Sequence, residues 1–428
     1  MIANMLNRAF AALALGLLLC AQPLASQERT APASPATPSS CLANTRSFLN
    51  ARMKEVPPPI TAEKYQALQQ EKVEFARACI ARIALDAVPE AQLAPLAELY
   101  IEAAQPDMAD RTVARALAAS ETDPARRAAT LVIATRMVMR QPKSDQRNAK
   151  AEKYVESLDA LPDAFVREKI DGHGMLNGYY RADDIDAGIL KHSNRIIELS
   201  GRLTPDQRTP VVRTIAAAYV NAAEAYAGQE QTAKALELLR TALKDLGGAE
   251  GVEAQVRPTL ARYELVGKTA AAVDAPQWLQ AAPPGGRLEM PGHVTLLQFT
   301  AHWCGPCRES YPGIVRLANT FGARGFRVVM ATQLYGYFES QRNLAPADEL
   351  KAIGEYFPKH GIVFPIAVGN RVAGQAGARD VNDANYGVGG IPQIQIIDKK
   401  GVIRLIMVGY DEANEPRLAA LIARLLAE

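Results

Sequence analysis

The spacing of apolar residues divides the chain into two parts. From residue 41 to about 265, apolar residues recur at helical intervals, and Phe75, Cys79 and Ile83 show a spacing of four. After about residue 268, short runs rich in β-branched residues alternate with helical stretches. The runs are VTLLQF (294–299), FRVVMATQ (326–333), FPIAVG (364–369), QIQIID (393–398) and VIRLIMVG (402–409), and the helical stretches are 307–321, 347–359 and 413–427. The pattern predicts an all-α, repeat-like N-terminal domain (41–265), followed by an α/β domain (268–428) with a mixed central sheet.

Two segments of the helical part repeat one order of aromatic and small residues. At offsets 0, 9, 13 and 16 each has a tyrosine, an alanine, an aliphatic residue and an alanine. These are Tyr100, Ala109, Val113 and Ala116 in residues 97–117, and Tyr226, Ala235, Leu239 and Ala242 in residues 223–243. The second segment resembles a tetratricopeptide helical hairpin. Two interpretations stay open: a concave surface that binds a protein partner, or an Ala-rich bundle that serves as a spacer or lid.

The amino-terminal residues are typical of a secretory signal peptide. Arg8 precedes a short apolar run that ends at Cys20, and small residues follow. The run is shorter than the roughly 20 residues that span a bilayer. We therefore predict a signal peptide (1–26), a flexible Pro- and Ser-rich leader (27–40) and a soluble, periplasmic mature protein. Cys20 raises the alternative of a lipoprotein, which Leu19 disfavours because a small residue usually precedes a lipidated cysteine.

Export changes how the cysteines are interpreted, because thiols outside the cytosol tend to oxidise. Once the signal peptide is removed, four of the five cysteines remain. The simplest pairing joins Cys41 to Cys79 in a structural disulfide and leaves Cys304 with Cys307. Cys79 has an alternative as a small buried apolar side chain on a helix.

The charge balance argues against a nucleic-acid partner. Lys and Arg number 48 and Asp and Glu 46, which gives a net charge of only +2. No dense run of basic residues is present, and phosphate binding needs concentrated positive charge. We expect no nucleic acid among the partners.

Cys304 and Cys307 follow directly on the strand VTLLQF and open a helix. A helix N-terminus favours negative charge, which lowers the pKa of a thiol placed there. Two intervening residues let the second sulfur reach the first without backbone movement. This spacing predicts that Cys304 attacks a substrate disulfide and that Cys307 resolves the mixed disulfide.

Other uses of a cysteine pair fit less well. Haem attachment needs a histidine after the second cysteine, and Arg308 stands there. Structural zinc needs two more cysteine or histidine ligands at suitable spacing, and none of the five histidines supplies such a pairing. We therefore expect no metal and no other cofactor.

The residues around the pair resemble those of a known family. WCGPC (303–307) is the thioredoxin active-site sequence, Pro312 matches the helix-kinking proline of that fold, and GGIP (389–392) resembles its cis-proline loop. The chain from 268 to 428 resembles the exported TlpA-like thiol–disulfide oxidoreductases more closely than it resembles cytosolic thioredoxin. DAPQWL (274–279) and YGVGGIPQIQIIDKKGVI (386–403) carry this closer resemblance.

The resemblance implies a site and a set of partners. Its substrate groove would comprise Trp303, Gly305, Pro306, Ile391 and Pro392. Substrates would be disulfides or thiols of exported proteins, and a membrane protein would donate electrons. The Gly-Pro pair between the cysteines occurs in thioredoxin and favours the reductase direction.

Two positions depart from the family. Gln298 stands where thioredoxin has a buried aspartate, and Ser310 stands where many TlpA-like reductases have a glutamate. The proton acceptor for Cys307 is therefore unassigned. His302 and Glu309 are the candidates for a proton relay, with the alternative that His302 is a solvent-facing loop residue. Glu309 is one residue, about 100° of helix, away from the family position.

A different class of function stays open beside the enzymatic one. In this alternative the helical domain binds a protein partner, and the thioredoxin-like domain is an accessory. An intact cysteine pair argues against a purely non-catalytic domain, but it does not exclude a dominant docking role.

Overall fold

The computed structural model describes residues 36–56, 62–182, 186–369, 380–410 and 412–428. The predicted signal peptide and the first part of the predicted leader lie outside these residues. Among the described helices, none combines the length and apolarity needed to cross a membrane. The chain divides into two compact units, one ending at Ala116 and the other beginning at Leu117.

The first unit is helical and is cross-linked by a disulfide. Cys41 and Cys79 form this bond, with Cα atoms 5.8 Å apart, and both residues are buried. Phe48 and Phe75 of the same unit stack on each other with ring centroids 4.9 Å apart. The helices are α1 (Pro38–Glu55), α2 (Ala62–Ile80), α3 (Leu93–Glu102) and α4 (Pro106–Ala119), of which α4 extends into the second unit.

The predicted leader extends to residue 40, but the structure begins α1 at Pro38. Thr37 is the N-cap, and its hydroxyl and the Ser40 side chain cap each other's backbone N–H groups. Proline suits the first helical position, because its missing N–H would be unpaired there anyway. The last residues of the predicted leader, Thr37 to Ser40, therefore form the start of α1.

Helices form the first part of the second unit. They are α5 (Pro124–Met139), α6 (Asp145–Asp159), α7 (Val166–Ala182), α8 (Asp186–Ser200), α9 (Pro205–Arg208), α10 (Val212–Gly228), α11 (Thr232–Leu246) and α12 (Val252–Tyr263). The last helix of this region, α12, ends at Tyr263, and the first strand begins at Val273. Packing nevertheless joins these helices to the strands in one compact unit.

The two repeat segments form helical hairpins with the same turn. In α3–α4 the N–H of Gln105 donates to the Tyr100 carbonyl at 2.9 Å, and in α10–α11 the N–H of Gln231 donates to the Tyr226 carbonyl at 2.9 Å. The residue before each glutamine has a positive φ, 55° at Ala104 and 62° at Glu230. The eight positions that define the repeat are all buried.

Six strands form the central sheet, in the order β10-β9-β4-β5-β8-β2. The elements are β1 (Val273–Asp274), β2 (Gln277–Leu279), β3 (Arg287–Leu288), β4 (Val294–Phe299), α13 (Gly305–Phe321), β5 (Phe326–Gln333), β6 (Tyr337–Phe338), β7 (Gln341–Arg342), α14 (Pro346–Lys359), β8 (Ile366–Gly369), α15 (Val381–Asn385), β9 (Gln393–Ile397), β10 (Ile403–Val408) and α16 (Glu415–Ala427). β4, β5 and β8 are parallel, whereas β2, β9 and β10 run antiparallel to their neighbours. The predicted fold class, a helical region followed by an α/β domain with a mixed sheet, is confirmed.

Both faces of the sheet are buried. Every residue of β4 is buried, and its side chains alternate between two apolar clusters. Leu296 packs in the cluster that includes α13, α14 and α16, and Leu297 packs in the cluster that includes α7, α8, α10, α11 and α12. The helices before the sheet therefore share its core.

We predict that replacing Cys41 and Cys79 with alanine destabilises the first unit. The disulfide joins residues 38 positions apart. On the chain-entropy model, its loss lowers the free energy of unfolding by about 4 kcal/mol. Urea unfolding followed by circular dichroism would show the loss as an earlier helical transition.

The chain offers an internal control for this experiment. Its two tryptophans, Trp278 and Trp303, both lie in the second unit. The fluorescence transition of these residues should stay where it is in the wild type. An unchanged helical transition would contradict a stabilising role for the bond.

Candidate redox site

The two cysteines lie where a central strand passes into a helix. β4 ends at Phe299, and Cys304 is the N-cap residue of α13. Cys304 and Cys307 form a disulfide, with Cα atoms 5.2 Å apart. The Cys304 sulfur also accepts a hydrogen bond from the Cys307 backbone N–H at 3.2 Å. Because free N–H groups and the helix dipole favour negative charge here, the position stabilises a Cys304 thiolate after reduction.

Exposure distinguishes the two cysteines. Cys307 is completely buried, Cys304 is 3% exposed, and the neighbouring Trp303 is 47% exposed. Pro306 is exposed and Gly305 is partly exposed. A substrate can therefore approach Cys304 beside Trp303, while Cys307 stays shielded from solvent.

The loop that contains Ile391 and Pro392 reaches the same edge of the sheet. The peptide bond between these two residues is cis. The next residue, Gln393, begins β9 and pairs with Phe299, the last residue of β4. The Ile391 side chain packs against the apolar cluster that includes both cysteines. The structure thus brings together the two segments that the sequence assigns to one substrate groove.

The two positions that depart from the family contact each other. The Gln298 side-chain amide donates to the Ser310 hydroxyl at 2.7 Å, and that hydroxyl donates to the Cys307 carbonyl at 2.6 Å. Gln298 and Ser310 are both completely buried. A neutral hydrogen-bonded pair therefore occupies the positions that carry carboxyl groups in the family. The sequence could not show the contact, because the partners lie on different elements.

His302 is buried, and the alternative of a solvent-facing residue is wrong. It is 4% exposed, and its ring centroid lies 5.8 Å from that of Tyr335, 5.3 Å from Tyr337 and 4.9 Å from Phe338. Burial lowers the pKa of His302, although the charge of Glu349 and a hydrogen bond to the Tyr337 backbone oppose this. The imidazole is therefore held in its neutral form.

Glu309 does not reach the buried side of the disulfide. It lies on the exposed side of α13, whereas Cys307 and Ser310 are buried. One residue turns a helix by about 100°, which carries the carboxylate away from Gln298. The structure gives no support to Glu309 as a proton relay.

Glu349 is a site residue that the sequence does not single out. Located in the first turn of α14, it is 1% exposed. Its carboxylate accepts hydrogen bonds from the backbone N–H groups of Tyr335 at 2.6 Å and Gly336 at 2.7 Å. It thereby fixes the segment after β5 that packs on His302. Its position early in a helix is unremarkable in the sequence, and only the fold supplies its partners.

Comparison with known proteins gives a family match for the α/β part. Residues 288–422 match the family model described as Redoxin. A curated relative, Thioredoxin-like protein YneN of Bacillus subtilis (strain 168), is 28% identical over 118 residues. These make up 28% of this chain, and the chain spans 58% of the length of that relative.

Solved structures are also similar to a part of this chain. One is a protein proposed to be the thiol:disulfide interchange protein DsbE of Chlorobium tepidum, with 24% identity and a TM-score of 0.29, covering 38% of this chain and 97% of the other. Another is a thiol-disulfide isomerase of Corynebacterium glutamicum, with 20% identity and a TM-score of 0.31, covering 38% and 97%.

We predict that His302 makes stability fall at acid pH. Its folded pKa lies below that of an unfolded histidine, about 6.5. As pH falls below that value, the unfolded chain takes up the proton first, so stability decreases until the folded pKa is reached. His302→Gln removes this titration, and urea midpoints between pH 7.5 and 5.5 should therefore fall less steeply in the variant.

A matched variant controls for the loss of a histidine as such. His293→Gln replaces an exposed histidine, and it should keep the steeper wild-type dependence. If the profiles of His302→Gln and the wild type run parallel, the buried imidazole is not the source of the pH dependence.

Proposed function

We propose that the protein is an exported reductase of protein disulfides, since residues 288–422 match the Redoxin family model. The main support for this proposal is the Cys304–Cys307 pair at the start of α13, with Trp303 exposed beside it. The thiol–disulfide oxidoreductase assignment rests on the redoxin match. The reductase direction, the substrates and the compartment belong to the proposal.

The proposed reaction proceeds in two exchanges. The Cys304 thiolate attacks one sulfur of a substrate disulfide, forms a mixed disulfide and releases the other substrate sulfur as a thiolate. The Cys307 sulfur then attacks Cys304, gives up its proton, and releases the second substrate sulfur. Two electrons pass to the substrate, which leaves as a dithiol after its two sulfurs take up protons. The protein is left with the Cys304–Cys307 disulfide.

The groove residues would hold an extended substrate segment at Cys304. Trp303 offers an exposed aromatic surface, and the loop at Ile391 and Pro392 lies at the same edge of the sheet. Backbone groups of this loop would pair with an extended chain, as in other strand-addition modes of binding. We assign Gly305 and Pro306 to the same groove because they separate the cysteines and are accessible.

The residues around Cys307 determine which group could accept its proton. Gln298 and Ser310 stand where the proteins that the sequence resembles have carboxyl groups, and these two side chains hydrogen-bond to each other. His302 is buried with Nε2 lacking a hydrogen-bond partner among the described residues. We retain His302 as the candidate proton acceptor, since a neutral imidazole can take a proton.

Export fits the cysteine usage of the chain. The buried disulfide between Cys41 and Cys79 lies outside the redox site and would be expected in an oxidising compartment. A reductase working there needs electrons from across the membrane, so a membrane donor protein is part of the proposal. Amino-terminal sequencing of the periplasmic protein tests export, and an unprocessed chain in the cytosol would contradict it.

We predict that Cys307→Ser traps substrates and Cys304→Ser does not. Without the resolving thiol, the mixed disulfide at Cys304 persists. Non-reducing electrophoresis of cell extracts should show adducts of Cys307→Ser that dithiothreitol removes. Cys304→Ser is the matched control. Adducts that form equally in both variants would contradict Cys304 as the nucleophile.

We predict a reducing potential for the cysteine pair. A reductase should have a midpoint near that of thioredoxin, about −270 mV, whereas a strong oxidant lies near about −120 mV. The full-length mature protein should be equilibrated in thiol buffers and trapped with a mass tag. Full length is required because the helices before the sheet share its core. A value near about −120 mV would contradict the reductase direction and would indicate an oxidant that forms disulfides in other proteins.

A further inference from the structure

A buried arginine of the helical region touches the loop that leads to the redox site. Arg262, in the last turn of α12, is 4% exposed. Its Nε donates to the Gly387 carbonyl at 3.0 Å, and its Nη1 donates to a Glu224 carboxylate oxygen at 2.8 Å. One guanidinium thus joins α10 and α12 to the segment between α15 and β9.

Glu224 holds this guanidinium from the helical side. The same carboxylate binds Arg181 of α7 through its other oxygen, at 2.6 Å. The side chains of Arg262 and Glu224 are only 5% and 12% exposed. A buried charge without its partner is costly, so the pair restricts where the guanidinium can lie.

Two glycines of the loop leave room for Arg262. Gly387 has a φ of 59°, and a Cβ there would lie 3.1 Å from the Arg262 Cα. A Cβ on Gly389 would lie 1.9 Å from the Arg262 Nη2, and the backbone of Gly389 is outside the left-handed region. The guanidinium therefore occupies the space that a side chain at residue 389 would fill. Glycine at positions 387 and 389 is thus explained by packing against Arg262, which the sequence does not reveal.

The restrained segment runs directly into the substrate loop. Ile391 follows Gly389 by two residues and packs against the cluster that contains both cysteines. Gln393 then enters the sheet beside Phe299, at the end of β4 that leads to Cys304. A shift at residues 387–389 would move the backbone offered to a substrate next to the disulfide.

We infer that Arg262 is a positioning residue for substrate binding, through which the helical region sets the conformation of residues 386–392. This inference rests on the proposed exchange reaction at Cys304. It assigns the helices of the second unit a part in the active site, whereas the disulfide chemistry itself does not need Arg262.

The test compares substrates that need the loop with one that does not. Arg262→Met should raise the KM for an oxidised peptide about tenfold, which corresponds to losing one charge-assisted hydrogen bond. The kcat and the rate with glutathione disulfide should change less than about twofold, and the reduction potential should keep its wild-type value. Hydrogen exchange should accelerate in peptides covering 386–390 and stay unchanged in those covering β4.

Arg181→Met is the matched control, because it removes the other arginine that binds Glu224 and leaves Arg262 and its hydrogen bond to Gly387 in place. It should keep the wild-type KM and loop exchange. If it raises KM as much as Arg262→Met, or if Arg262→Met slows both substrates equally, Arg262 is only structural and the inference is overturned.

A second variant keeps the inference testable if Arg262→Met does not fold. Gly389→Ala keeps Arg262 but should displace its guanidinium. It should accelerate loop exchange and raise the KM for the oxidised peptide, while the rate with glutathione disulfide changes less than about twofold. Unchanged loop exchange and KM in this variant would overturn the inference. If the wild type transfers no electrons to any disulfide, the proposed function fails, while the exchange measurements still decide whether Arg262 positions the loop.

Discussion

Burial of both faces of the six-stranded sheet is the constraint on which the rest of the second unit depends. β4 has no polar face, because Leu296 and Leu297 point into separate cores. Helices α13, α14 and α16 cover one side, and α7, α8 and α10–α12 contribute to the core on the other. Removing the preceding helices would expose a continuous apolar surface to water, which is unfavourable in proportion to its area. The helical region is therefore part of the structural support of the redox domain.

This burial also sets the chemistry around the cysteines. Ionised groups are costly in a dry interior, and the side chains behind the disulfide are neutral, namely Gln298, Ser310 and the His302 imidazole. The start of α13 is then the main source of stabilisation for a Cys304 thiolate. A thiolate held by backbone dipoles depends little on a neighbouring side chain's titration.

The loop from 386 to 392 contacts both the helices and the sheet of the second unit, next to the proposed substrate groove. On one side, Arg262 donates to Gly387. On the other, the Tyr386 carbonyl accepts from the side chains of Gln393 and Gln395, both at 2.9 Å. A loop fixed from both ends is pre-organised, which reduces the entropy lost on binding an extended segment. In the proposed reaction, this arrangement would link the helices to substrate binding, while the cysteines would carry out electron transfer.

Features that depend on residues close together along the chain could be predicted from the amino-acid sequence. Periodicity located β4, β5 and the helices α13 and α14 within two residues, and the WCGPC and GGIP motifs predicted a redox site. Strands of two or three residues, such as β1, are too short to show a period, and they were not predicted. Only the tertiary structure decided the contacts of Gln298 with Ser310, of Glu349 with the segment after β5, and of Arg262 with Gly387. Each of these contacts joins different elements, so it exists only once sheet register and helix packing are fixed.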